Sequence, residues 1–175
     1  MQKYKDKSLR LPSWNYSANG FYFLTLCTHN RHHSLGEIIN GQLQKTKAAI
    51  LVENCWLSLN GHYGNCYLDE FIIMPNHLHG LIFIEQEETS ELAHQLTTQR
   101  RSMLIPKMVG RFKMQSTKLI NEAQKTPGKK FWQSDYYDRV VRNEDELNNI
   151  REYIHDNPMA WEYDRFNSQR IRSTE

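Results

Sequence analysis

Near the middle of the chain, two apolar runs flank a turn pair. Phe71-Ile72-Ile73-Met74 leads into Pro75-Asn76, and His77-Leu78-His79-Gly80 continues into Leu81-Ile82-Phe83-Ile84. Short apolar runs bounded by turn residues read as the two strands of a hairpin, the second of them buried. Strand side chains alternate between faces, so His77 and His79 project from one face and Leu78 from the other. Two imidazoles fixed side by side make half of a divalent metal site. Histidine pairs also serve as hydrogen-bonded structure or as part of a solvated face. A third ligand and a reactive group are therefore needed before the pair carries chemistry.

A chain of 175 residues fits one domain, here 1–175, with a sizeable core. With 39% hydrophobic and 24% charged residues, it falls in the soluble globular class. The apolar runs are too short to span a bilayer, so no membrane role is expected. The first residues, Met1-Gln2-Lys3-Tyr4-Lys5-Asp6-Lys7, are charged and lack the apolar centre of a signal peptide. Cys27, Cys55 and Cys66 form no Cys-x-x-Cys pair. They read as reduced thiols of a cytoplasmic protein, neither a zinc site nor a disulfide framework.

The net charge of +2 hides an uneven distribution. Arg100, Arg101, Lys107, Arg111, Lys113, Lys118, Lys125, Lys129 and Lys130 share one stretch with a single acid, Glu122, giving it a net +8. The acids Glu85, Glu87, Glu88 and Glu91 cluster just before it. Such a segment is the electrostatic footprint of a nucleic-acid binder, or else a solvated helix face with a basic loop.

Residues 21–28 are aromatic and β-rich and read as a strand. A polar loop ends near Gly36. From about Gln42 to Asn60, apolar residues at Ala48, Leu51, Val52, Cys55, Trp56 and Leu59 mark one face of a helix. Strands follow at 66–74 and 78–84, then a loop or frayed helix over 86–99. A second helix is expected from about Met103 to Ala123, and a strand at 136–142. Asn143 as N-cap with Glu146 three residues later opens a last helix, which should end near Asn157 because Pro158 follows. The order β-α-β-β-α-β with a helix appended predicts an α+β, ferredoxin-like sandwich with an antiparallel sheet. That fold hosts many functions and does not decide among them.

On the last helix, Tyr153 and Asn157 are four residues apart and share a face. Asn157 offers a carboxamide oxygen as a third metal ligand, and Tyr153 a phenol one turn away. Mixed imidazole and carbonyl sites suit manganese. The phenol, with a pKa near 10, needs a metal or a base to act as a nucleophile. The same spacing also fits a helix packed by its tyrosine and closed by a polar cap. Trp14, Tyr16, Trp132 and Tyr136 are either base-stacking or core residues. Arg139 and Arg142 are either phosphate or guanine contacts or strand-edge ion pairs.

In this order and spacing, several segments resemble the REP-associated tyrosine transposases, within the single-tyrosine HUH (IS200-like) transposases. They are Arg10-Leu11-Pro12-Ser13-Trp14-Asn15-Tyr16-Ser17, Gly20-Phe21-Tyr22-Phe23-Leu24-Thr25, then Thr28, Arg31 and Leu35-Gly36-Glu37. Met74-Pro75-Asn76-His77-Leu78-His79-Gly80 is similar to the HUH motif. Phe131-Trp132-Gln133 with Tyr137-Asp138-Arg139-Val140-Val141-Arg142 resembles the segment before the tyrosine helix. Glu152-Tyr153-Ile154-His155-Asp156-Asn157-Pro158 resembles that helix itself. The resemblance implies that His77, His79 and Asn157 bind Mg2+ or Mn2+. It implies that Tyr153 attacks the scissile phosphate to form a 5′-phosphotyrosine. The implied partner is single-stranded DNA with a REP-like hairpin, and the implied role is DNA transposition. A monomer is favoured, with a homodimer as the alternative. Related insertion-sequence enzymes often have glutamine where this chain has Asn157.

Two other readings compete. One is a domesticated hairpin DNA-binding protein whose catalysis is lost or incidental. The other is a histidine-triad-like nucleotide hydrolase, against which Leu81 counts, because it stands where a third histidine is needed. The remaining histidines, His29, His32, His33, His62 and His94, are expected at the surface. His155 should point away from Tyr153.

Overall fold

In a computed structural model, residues 15–85 and 103–167 are described. Trp14, Arg100, Arg101, His94 and the loop expected over 86–99 lie outside them. The elements are β1 (Gly20–Cys27), β2 (Gly36–Ile39), β3 (Gln42–Lys45), α1 (Lys47–Leu57), β4 (Cys66–Met74), β5 (His77–Ile84), α2 (Leu104–Gln124), β6 (Tyr137–Val140) and α3 (Glu144–Asp156). The main sheet has the order β4-β5-β1-β6, with every pair antiparallel. This is the split order of the ferredoxin-like sandwich.

Strand alternation divides the core in two. Tyr22, Leu24, Leu26, Leu78, Ile82 and Ile84 face α1 and α2 and pack with Val52, Trp56, Met108 and Phe112. Leu81, Phe21, Phe23 and Ile72 face the other way and pack under Leu147, Ile150 and Ile154 of α3. Burying each of those three side chains contributes on the order of 2 kcal/mol towards seating α3. Gly80 is required on the first face, since a Cβ there would lie 2.1 Å from the Trp56 ring. Among the described residues, no helix is long and apolar enough to cross a membrane.

Two expectations need correction. Residues 42–45 are strand, not helix, because β2 and β3 form a hairpin through Asn40 (φ 52°) and Gly41 (φ 72°). Two successive positive φ values make the tight turn that Asn-Gly favours. The helix therefore begins only after Thr46, whose hydroxyl accepts the Ala49 N–H at 3.2 Å. It also ends early, at Leu57, and Ser58–Gly61 is a single 3-10 turn. The α3 N-terminus behaves as expected. Asn143 Oδ1 accepts the Glu146 N–H at 2.8 Å, and Glu146 Oε2 reaches back to the Arg142 N–H at 2.8 Å. This is a capping box displaced by one residue.

Candidate metal and tyrosine site

The alternation of β5 places His77 and His79 on the face that α3 covers, in line with Leu81. Across the sheet, Thr25 and Ile72 flank His79, and Cys27 and Met74 flank His77. Both imidazoles are fully buried, with their Nε2 atoms 3.0 Å apart.

Asn76 sets the tautomer of His77. Its Nδ2 donates to the carbonyls of Phe166 (2.8 Å) and Arg31 (3.3 Å), so its Oδ1 is the atom left to accept from His77 Nδ1 at 2.8 Å. The proton of neutral His77 is then on Nδ1, and the Nε2 lone pair faces His79. His79 Nδ1 lies 2.8 Å from Thr25 Oγ1. Outer hydrogen bonds of this kind commonly orient metal-ligating histidines.

Burial holds both rings neutral. It pushes His77 well below the usual histidine range, helped by His79 and Arg165, and His79 down to about 3, helped by Arg165. Neutral imidazole is the state that binds a metal.

The stretch after α3 closes over the pair. Phe166 lies 4.7 Å from His77 and 5.8 Å from His79 between ring centres, and Trp161 lies 6.0 Å from His77. This stretch also supplies Asp164, 8% exposed, whose carboxylate joins His77 and His79 in a group with ligand atoms within 4.8 Å of one another. Asn157 is buried, and its Oδ1 has no hydrogen-bond partner. Two neutral imidazoles, a carboxylate and an orphaned carboxamide oxygen are a donor set that fits a divalent cation.

Tyr153 is brought to this group by α3. Arg151 anchors the helix to β4, with Nε and Nη2 at 2.9 and 2.5 Å from the Asp69 carboxylate. The Tyr153 hydroxyl is 3.2 Å from His79 Nε2, and its ring stands edge-on to Phe23. Burial, and then the Asp164 charge, raise its pKa, opposed by Asn157 and Arg165. The side chain is 40% exposed and opens on a cavity of about 1060 Å³ also lined by Asn157, Asp164, Arg139, Arg142 and Arg165.

The structure thus brings Tyr153 to the His77–His79 pair, and Asn157, Arg139 and Arg142 line the cavity on which Tyr153 opens. Arg139 also pairs with Glu146. Lys107, Arg111 and Lys118 are exposed on α2, which covers the opposite face of the sheet from Tyr153. Lys113 lies elsewhere than expected: its ammonium donates to the carbonyls of Gln133 (2.9 Å), Ser134 (3.3 Å) and Asp135 (2.8 Å) and holds that loop. Trp132 is core, 6% exposed, with its ring on Phe112 and Nε1 bonded to Ser116 Oγ at 2.9 Å, so no face is open to a base. Tyr16 is core too, and the Tyr136 ring lies under Lys113. His33 is half-buried against Trp161 rather than at the surface. His155 is exposed and paired with Asp156. The three cysteines are free and buried.

Sequence reasoning missed Asp164 and the orienting roles of Asn76 and Thr25. A single acid seven residues beyond Asn157 carries no spacing signal, and Asn76 reads only as a turn residue.

The family model described as transposase IS200 like matches residues 85–157. That stretch contains Tyr153 and Asn157 and begins just after the histidine strand. An uncharacterised protein of Haemophilus influenzae is 36% identical over 166 residues, 91% of each chain. The solved structure of a REP-associated tyrosine transposase bound to a REP hairpin superposes with a TM-score of 0.55 at 14% identity. It covers 92% of this chain and 74% of that one. At that identity the likeness speaks for the fold.

Proposed function

The chain belongs to the IS200-like transposase family, and from that premise we propose a metal-dependent single-strand DNA endonuclease and strand transferase that works through a 5′-phosphotyrosine. The observation that carries this reading is the Tyr153 hydroxyl, 3.2 Å from His79 Nε2 and beside the group of His77, His79 and Asp164. A nucleophile set against a clustered donor set, at the mouth of a cavity with three arginines, is what phosphoryl transfer to a side chain requires.

His77, His79 and Asp164, with Asn157, would hold Mg2+ or Mn2+. When bound, the ion supplies Lewis-acid polarisation of a phosphoryl oxygen and favours the phenolate. Arg139, Arg142 and Arg165 hold the backbone phosphates at the cavity. Tyr153 Oη attacks the phosphorus, and the bond from phosphorus to the 3′ oxygen breaks. The phenol proton ends on the released 3′-hydroxyl. The reverse attack by a 3′-hydroxyl restores the phenol and joins strands without ATP, because the phosphodiester energy is kept in the tyrosyl ester. The substrate is single-stranded DNA beside a hairpin, handled by a monomer in the cytoplasm. The class of hairpin is supported by the solved structure of similar fold, which was bound to a REP hairpin.

The test is a labelled hairpin oligonucleotide with a single-stranded tail, incubated with manganese and run on a denaturing gel. A protein-linked band is expected, absent in both Tyr153→Phe and His77→Ala. A cut that survives Tyr153→Phe would refute the tyrosine as nucleophile. Binding without any cut would make the chain a hairpin-binding protein.

A further inference from the structure

The loop after β1 carries unusual backbone. Asn30 and Arg31 have φ of 53° and 54°, two successive left-handed residues, neither of them glycine. Left-handed backbone is unfavourable for residues with a Cβ, so the surroundings must impose the conformation. They do so at several points. Thr28 Oγ1 donates to the His32 carbonyl at 2.7 Å, the His29 N–H donates to the Phe131 carbonyl at 2.7 Å, and Asn76 Nδ2 reaches the Arg31 carbonyl.

This loop has two sides. On one, the Arg31 guanidinium lies 5.3 Å over Phe166, the ring that covers the histidine pair. On the other, His29 and His32 line a second cavity of about 500 Å³ together with Lys129, Lys130 and Gln124. The lysines sit on a segment that is itself pinned. Asn121 Nδ2 donates to the Lys129 carbonyl at 2.9 Å, and Phe131 accepts from His29. No carboxylate lines the cavity, and among the described residues none pairs with Lys129 or Lys130. Two lysines, two histidines and two carboxamide residues, Asn121 and Gln124, thus line one cavity that has no acidic residue in its lining. A lining of this chemistry suits phosphate oxygens, and the pinned loop beside it reaches Phe166 over the histidine pair through Arg31.

We propose that His29, His32, Lys129 and Lys130 form a second DNA-backbone site, which seats the duplex stem of the hairpin while the adjoining single strand enters the Tyr153 cavity. The proposal rests on the DNA-processing reading above and adds to it where the stem docks. The basic face of α2 at Lys107 and Arg111 is the rival surface, and neither residue lines this cavity or adjoins the pinned loop.

The test is binding of a labelled DNA hairpin with a single-stranded tail, followed by fluorescence anisotropy over a salt series. The double variant Lys129→Glu/Lys130→Glu is compared with Lys107→Glu/Arg111→Glu, which reverses the same charge on α2. Both pairs are exposed, and thermal melting with manganese titration checks that each variant is folded. The first variant is expected to lose affinity on the order of tenfold, and the slope of log K against log salt should fall by about 2, roughly 0.9 per phosphate contact. The α2 variant should lose markedly less. Wild-type affinity and slope in the first variant would overturn the proposal, as would equal losses in both. A wild-type protein that binds no DNA would overturn the DNA-processing reading and this proposal with it.

Discussion

If His77 holds a metal as proposed, Asn76 joins stability to metal binding through different atoms of one carboxamide, so its variants should separate the two. Asn76→Ala removes all three of its hydrogen bonds. The Phe166 carbonyl and His77 Nδ1 are then left buried without these partners, at about 1–3 kcal/mol each. The Arg31 contact, at 3.3 Å and only part-buried, adds little. The expected loss is roughly 3 kcal/mol by urea denaturation in EDTA. Loss of the bond that fixes His77 should also weaken manganese binding by about 10–100-fold in calorimetric titration. Asn76→Asp separates the roles. A carboxylate still accepts from His77 Nδ1 and makes Nε2 more basic, but it cannot donate to Phe166 or Arg31. It should therefore lose at least as much stability as the alanine variant, since a carboxylate oxygen would face two carbonyls, while holding manganese at least as tightly as wild type. If Asn76→Ala is folded and binds manganese within about twofold of wild type, the carboxamide does not orient the ligand and the reasoning fails.

His77 and His79 are held below their unfolded pKa near 6.5, so between that value and their folded values the unfolded chain binds more protons. Metal-free stability should be fully present above pH 6.5 and fall as the pH drops towards about 3, the folded value of His79, and His79→Gln should flatten that fall in urea titrations across pH. Lys113→Met removes three charge-assisted bonds to loop carbonyls and should cost about 2 kcal/mol while leaving the salt slope of hairpin binding unchanged, since the ammonium serves the loop.

The parts of the site legible in the sequence are those whose geometry lies within one element. His77 and His79 share a face because strands repeat every two residues, and Tyr153 and Asn157 because helices repeat nearly every four. The four-stranded sheet and three helices were legible for the same reason. The β2–β3 hairpin was not, although Asn40-Gly41 is a strong turn signal, because its strands are only four residues long and barely alternate. Gln42, Leu43, Gln44 and Lys45 are good helix formers on their own, and pairing with β2 overrides that preference. Asn76 and Phe166 meet across 90 residues of sequence, and Asp164 reaches the histidines only because the chain turns back after Pro158. No local period encodes such closures.

That return of the chain also fixes the direction from which a substrate must come. Phe166 and Trp161 cover His77, the sheet lies beneath it, and the pair is fully buried, so neither imidazole can be approached from those sides. Tyr153 is the group at the site that remains substantially exposed, and the space in front of it is the one lined by Arg139, Arg142 and Arg165. Arg165 adjoins the metal-group residue Asp164, while Arg139 and Arg142 come from β6 and the turn before α3. On the proposed function, a phosphate attracted by these arginines would arrive beside the tyrosine hydroxyl, with the histidines behind it. Lys107, Arg111 and Lys118, across the sheet on α2, can raise the overall attraction for DNA but cannot aim a phosphate at Tyr153. On that proposal, the charge that would serve the chemistry is the small cluster lining the cavity, not the long basic stretch that dominates the sequence.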